Sequence, residues 1–184
     1  MSELKLNIGC GTSHMDGFIN IDIKELPGVD KVLDVTKGLP FPDNSVDYIV
    51  MHDFLEHIHK DKFISVIKEL YRISKKGAGW NIRVPYWSAN SAHDAIGHYT
   101  TFTENTFNAF NPEARGKGST WTLPDPDNPG KELDVWLNQK SLHFNYYGHV
   151  RELLGNNPEE WDRKRKFYTN VVDTLSMEYE VVKF

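Results

Sequence analysis

Before residue 85 the chain carries five short apolar or β-rich runs, each ending in turn chemistry. They are Leu4 to Ile8, Phe18 to Asp22, Val29 to Asp34, Val46 to Met51 and Gly79 to Val84. Between the fourth and fifth, Phe63, Ile64, Ile67, Leu70 and Tyr71 recur at helical spacing. Lys75, Lys76 and Gly77 then follow as the cations and glycine that close a helix. Strands joined through a helix run parallel, and the crossover is right-handed in almost all cases. This spacing predicts an α/β fold with a doubly wound, mostly parallel sheet.

From Tyr86 to Asp134 the pattern fades, with Pro112, Pro124, Pro126 and Pro129 beside several glycines. Only Thr103 to Phe110 reads as helical, with Thr103 as its cap. A loop-rich stretch of this length in a compact domain is either functional or disordered, and its place predicts a lid. Lys140 to Tyr147 and Met177 to Phe184 read as two further strands around a helix from about Pro158 to Thr174. That helix opens with Pro158, Glu159 and Glu160 in its first turn, and Arg163 to Lys166 reads as its solvated face. Seven strands result.

Length and composition narrow the partners. The 184 residues suit one domain, and hydrophobic residues at 39% with charged residues at 26% are those of a globular chain. No apolar run approaches the ~18 residues of a membrane span, and Met1 to Lys5 lead into a strand with no signal core. Cys10 is the only cysteine, so neither a disulfide nor a thiol zinc site is expected, and a reducing cytoplasm is the simplest setting. A net charge of -5 argues against a large phosphate-binding face. A small molecule, not nucleic acid or membrane, is the expected partner, while oligomeric state is left open.

In an open parallel sheet, ligands bind beyond the carboxyl ends of the strands where strand order reverses. Asn7-Ile8-Gly9-Cys10-Gly11 puts two glycines just there, letting a ligand lie against backbone amides. Asp22 closes the second strand, where a carboxylate can accept both hydroxyls of a ribose. Asp34 closes the third, where it can accept from an exocyclic amine of a purine.

Together with Leu39-Pro40-Phe41-Pro42-Asp43-Asn44-Ser45-Val46-Asp47 and Phe54-Leu55-Glu56-His57-Ile58, this order resembles the class I S-adenosylmethionine-dependent methyltransferases, above all their compact bacterial and phage-type members. The resemblance implies a Rossmann-like seven-stranded sheet with an antiparallel last strand and S-adenosylmethionine as cofactor. It divides the single domain into a cofactor-binding half at 1–84, a lid or substrate insertion at 85–134, and C-terminal strands and helix at 135–184. It also implies roles: Gly9 and Gly11 beside the methionine part, with Asn7 and a passive Cys10 in the same cofactor-binding turn, Asp22 on the ribose, Asp34 and Val35 on the adenine, and His52 and Asp53 flanking the site. Two departures stand out. The head of the glycine motif is Asn7 in place of the usual acid, and only six residues, Thr12 to Gly17, separate Gly11 from Phe18, too few for an ordinary crossover helix.

Five histidines fall in the expected active region: His52, His57, His59, His93 and His98. Helical spacing pairs His52 with Glu56 but sends His57 and His59 elsewhere, so no metal is expected. His57 is expected to serve the helix start. For a hydroxyl acceptor, His98, His93 or Asp94 is the expected general base. Two other functions share parts of this pattern: a non-catalytic domain of the same fold, and a nicotinamide-dependent oxidoreductase. The latter lacks its third glycine, and Asp22 stands only eleven residues after Gly11, where ~20 would be usual.

Overall fold

The computed structural model describes residues 3–113, 123–148, 150, 158–167 and 169–184. Seven strands form one sheet in the order β3-β2-β1-β4-β5-β7-β6. They are β1 (Lys5–Ile8), β2 (Ile19–Asp22), β3 (Lys31–Val32), β4 (Val46–His52), β5 (Ser74–Pro85), β6 (Leu137–Tyr146) and β7 (Val172–Val181). Strands β1 to β5 pair in parallel, while β7 runs antiparallel to both β5 and β6. The expected count, parallel core and antiparallel last strand are all present.

The central strands are buried on both faces because elements cover the sheet from both sides. Leu6, Asn7 and Ile8 of β1 are all buried, as are Ile49, Val50 and Met51 of β4. Helix α1 (Lys60–Ile73) buries Phe63, Val66, Ile67, Leu70 and Ile73, which recur every three or four residues along one face. Each such side chain contributes on the order of 1.5–3 kcal/mol before its entropic cost.

Helix α1 ends earlier than Lys75, Lys76 and Gly77 suggested, and the reason is Ser74. Its backbone N–H and its hydroxyl both donate to the Leu70 carbonyl, satisfying an orphan of the last turn. The hydroxyl then accepts from the indole N–H of fully buried Trp80, which fixes residue 74 as the start of β5. Lys75 therefore lies in a strand and pairs across to Asp47 at 2.6 Å.

Two other expectations change. The last helix, α3 (Pro158–Phe167), stops well before Thr174 because Val172 already pairs with Tyr146 in the sheet. Its cationic run is not wholly solvated. Arg165 turns inward, donates to Glu104 at 2.7 Å and lies 4.1 Å from the Phe144 ring centre.

The stretch after β5 is more than a covering flap. After the short helix α2 (Ser91–Asp94), Phe102 bridges back to Tyr86, and a 3₁₀ turn spans Thr106–Phe110 with Asn105 before it. Phe102, Phe107, Phe110, Leu133 and Val135 all belong to the main core, where Phe107 meets Tyr179 of β7 at 5.2 Å. Residues 114–122 of the expected lid lie outside the described residues.

Candidate active site

Strand register sets the site. Pairing of Ile8 with Ile21, Asp22 with Val32 and Asn7 with Val50 brings the carboxyl ends of β1 to β4 to one edge, where order reverses between β1 and β4. The backbone N–H groups of Gly9 and Cys10 both donate to the Ile21 carbonyl, at 2.9 and 3.1 Å, which locks the turn onto β2. Gly9 has φ +68°, and a Cβ there would lie 2.6 Å from the Phe54 ring. Gly11 also has positive φ, but a Cβ would meet nothing within 4 Å, so its backbone borders open space.

Asp22 holds that turn from the other side. One carboxylate oxygen accepts from Gly11 N–H at 2.8 Å and the other from Lys24 N–H at 2.9 Å. A carboxylate oxygen offers two lone pairs, so each retains one for a further donor. Asp34 caps the 3₁₀ turn Val35–Lys37 by accepting from the Thr36 N–H and hydroxyl, and those bonds hold its carboxyl below the usual range. Val35, first in that turn, presents an N–H without an intrahelical partner.

These residues enclose a cavity of about 490 Å³, within the ordinary span for a cofactor site. Gly9, Gly11, Asp22, Asp34, Val35 and Asp53 line it with Phe54, His57 and Ile58. A cleft of about 560 Å³ at the opposite strand ends is lined by charges already engaged, Arg72 with Glu69 and Asp43, Lys68 with Asp125 and Asp127. Strand polarity and those pairings favour the first cavity as the ligand site.

Three residues expected to hold the cofactor, Asn7, Cys10 and His52, are not in its lining. Asn7 is buried and turned inward: its amide N–H₂ donates to the Ser13 carbonyl at 2.8 Å and to Asn20 Oδ1 at 2.9 Å. Asn20 Oδ1 also accepts from Met15 N–H, and the Asn20 backbone and side chain both donate to Asp30. This network carries the chain from β1 to β2, so residues 12–17 form turns in place of a crossover helix, as their number required. Cys10 is buried, its thiol pKa pushed up by burial. His52 contacts Asn81 Oδ1 at 2.6 Å.

Beyond β4 the wall is built differently. Asp53 adopts φ +53° and pairs with Arg83 of the neighbouring strand. The following turn, Leu55–His57, is held by a distant segment: Tyr99 and Thr100 N–H donate to the Glu56 carbonyl, and the Thr100 hydroxyl donates to the Ile58 carbonyl. His57 Nδ1 sits 3.1 Å from the Gly97 carbonyl, and its ring meets His98 edge-on with centres 4.7 Å apart. His57 thus lines the cavity and ends the turn that Leu55 opens, not the start of a helix as expected, and it places His98 directly behind that wall.

Glu56 is 1% exposed, its Oε2 has no hydrogen-bond partner, and burial pushes its pKa up to about 7. His98 Nδ1 is likewise buried without a partner, and burial, aided by His57, lowers the imidazole pKa. His93 contacts the Trp87 carbonyl at 2.7 Å, and neither His93 nor Asp94 is in the cavity lining. His59, exposed, pairs with Asp61. Sequence spacing gave no hint of Glu56 as a buried acid, and Phe54 was visible only as part of a motif.

Residues 6–79 match the model of the methyltransferase domain family. Two solved structures share the whole architecture: an S-adenosylmethionine-dependent methyltransferase from Archaeoglobus fulgidus and the YcgJ protein from Bacillus subtilis. The first is 14% identical with TM-score 0.61, over 97% of this chain and 86% of that one. The second is 12% identical with TM-score 0.60, over 100% and 93%. The cyclase SpnF also aligns, at 13% identity and TM-score 0.57 over 100% and 77%, so this fold carries more than one chemistry. A search of curated proteins gave no match. The glycine turn, Asp22 and Asp34 all fall within the matched residues, and the whole chain shares the fold of these structures.

Proposed function

We propose that the chain transfers the methyl group of S-adenosylmethionine to a small-molecule or sugar hydroxyl, in the cytoplasm. The observation that carries this reading is Asp22: its carboxylate stiffens the glycine turn and keeps one lone pair per oxygen beside an open cavity. Those lone pairs suit the two hydroxyls of a ribose. Asp34 and the Val35 N–H suit the donor and acceptor edges of an adenine, and Gly11 leaves its backbone open to the methionine part. The fit is incomplete at the ammonium end, where Asn7 is committed to Ser13 and Asn20.

When bound, the cofactor supplies a sulfonium methyl carbon as electrophile. The protein's share is to hold the acceptor in line and to keep water out, which suffices for much of the rate. Leu33, Val35, Phe54 and Ile58 supply the apolar lining. A hydroxyl acceptor would have to give up a proton on methylation. Of His98, His93 and Asp94, His98 alone touches a residue lining the cavity, so the proton leaves toward the cluster of His98, His57 and Glu56.

The inward turn of Asn7 favours one competing reading, a domain of this fold that no longer binds the cofactor. Calorimetry with S-adenosylmethionine and its demethylated product decides between them. Micromolar binding that weakens in Asp22→Ala supports the enzyme; no heat from a folded protein supports the binding domain. Labelled methyl transfer to a panel of sugars and phenols then identifies the acceptor.

A further inference from the structure

We infer that Glu56, His57 and His98 form a binding site for a divalent transition-metal ion at the rim of the cavity. One ligand atom from each of the three lies within 4.8 Å of the other two. Two of these groups have an unmet need that a cation would meet. Glu56 Oε2 is buried on a side chain 1% exposed and accepts from nothing, and His98 Nδ1 is buried without a partner. Leaving such atoms unpaired is costly, and few are tolerated in a folded chain.

The remaining contacts orient the rings for this task. His57 Nδ1 lies 3.1 Å from the Gly97 carbonyl, so it carries the hydrogen and leaves Nε2 as a free lone pair. The His98 ring meets the His57 ring edge-on with centres 4.7 Å apart, and its Nδ1 is left without a partner. Metal-bound imidazoles are held in this manner, one nitrogen on the ion and the other fixed by a carbonyl or carboxylate. Two imidazoles and a carboxylate suit zinc, iron(II), cobalt or manganese better than calcium or magnesium, and three ligands leave positions open. Helical spacing could not reveal this site, because Glu56 and His57 lie on a 3₁₀ turn and His98 arrives from beyond β5.

Its use rests on the methyl-transfer reading above. His57 lines the cavity, so the ion stands at its rim, where a hydroxyl acceptor could take an open position. Coordination would lower a hydroxyl's pKa as it lowers that of water, so that with the ion bound the proton passes to solvent and the three ligands no longer take it.

The test uses the full chain freed of metal with a chelator. Co²⁺ should bind at one equivalent with the visible absorption of a nitrogen- and oxygen-ligated site, and Zn²⁺ should displace it and raise the unfolding temperature. His98→Gln and Glu56→Gln should each weaken Co²⁺ binding at least tenfold, while His59→Gln and His14→Gln should leave it unchanged. Circular dichroism confirms folding, and His98→Gln stands alone if the Glu56 variant does not fold. Absence of binding, or equal loss in the His59 variant, overturns the site. Cofactor calorimetry on the same preparation separates the two proposals: cofactor without metal removes only the ion, and metal without cofactor removes only the methyltransferase reading.

Discussion

The turns after β1 and β4 leave the sheet at the same edge and both require positive φ, yet they are made in different ways. After β1 the strain is carried by Gly9 and Gly11, and the bonds that fix the turn come from Ile21 and Asp22 on the next strand. After β4 it is carried by Asp53, for which the left-handed region costs about 1–2 kcal/mol, and Arg83 and residues 97–100 hold the turn in place. The first turn stands on contacts with one neighbouring strand. The second exists only once a segment some forty residues away has docked, so the nucleotide wall and the histidine cluster should respond separately to mutation.

The largest effect should come from the second turn. His98→Gln is expected to lower turnover by about 10² to 10⁴ while cofactor affinity stays within twofold, because in the proposed reading His98 serves the acceptor and it is not in the cavity lining. Labelled transfer with parallel calorimetry reads both. A matching fall in cofactor affinity would mean that the two walls are one site.

Next is Gly9→Ala, where positive φ and a Cβ 2.6 Å from the Phe54 ring act together. A loss of roughly 2–4 kcal/mol in urea unfolding is expected. Gly11→Ala adds only the backbone cost, about 1 kcal/mol, since its Cβ meets nothing, and should show itself chiefly as weaker cofactor binding.

The same contrast explains what could be read from the chain. Glycine turn, Asp22 and Asp34 are local signals at strand ends, and parallel register alone brings them together. Asn7 was visible as a departure, but its partner Asn20 and the support from Asp30 were not, because an asparagine in a strand carries no sign of which way its amide turns. Glu56, His57 and His98 were each in view. Their meeting depends on Tyr99 and Thr100 binding the Glu56 carbonyl, a contact across a loop with no periodicity. Lys75, Lys76 and Gly77 misplaced the helix end for a similar reason, since Ser74 ends the helix and its role is fixed by Trp80 six residues later.

Asn7→Asp tests that network. It restores the acid usual at the head of the motif, yet an ionised carboxylate cannot donate to the Ser13 carbonyl or to Asn20 Oδ1, which already accepts from Met15 N–H. A loss of about 2–3 kcal/mol in unfolding free energy is expected, with no gain in cofactor affinity. Tighter binding by a stable Asn7→Asp protein would mean that the loop after β1 can be rebuilt around an acid. Asp22→Ala should then weaken cofactor binding by about 1.5–3 kcal/mol and leave Co²⁺ binding intact, the reverse of His98→Gln.

The last effect lies far from both turns and asks whether they share one scaffold. Glu69 on α1 accepts from Leu39 N–H at 2.6 Å and from two nitrogens of Arg72 at 2.7 Å, tying the helix to the loop before β4. The Arg72 guanidinium holds the Glu69 carboxyl below its ordinary pKa of 4.5. The unfolded chain therefore binds more protons at this residue than the folded one at mildly acid pH. Its contribution is fully present above pH 4.5 and is lost as pH falls through the lower, folded value. Glu69→Gln should cost roughly 1–2 kcal/mol near neutral pH, Arg72 being partly exposed, and that deficit should shrink on acidification. Unfolding curves at several pH values for both proteins measure it. Since Glu69 touches neither turn, cofactor and Co²⁺ affinities should hold at neutral pH while both sites melt together at the lowered midpoint. Separate melting of the two sites would show that the second turn unfolds on its own, as its dependence on residues 97–100 allows.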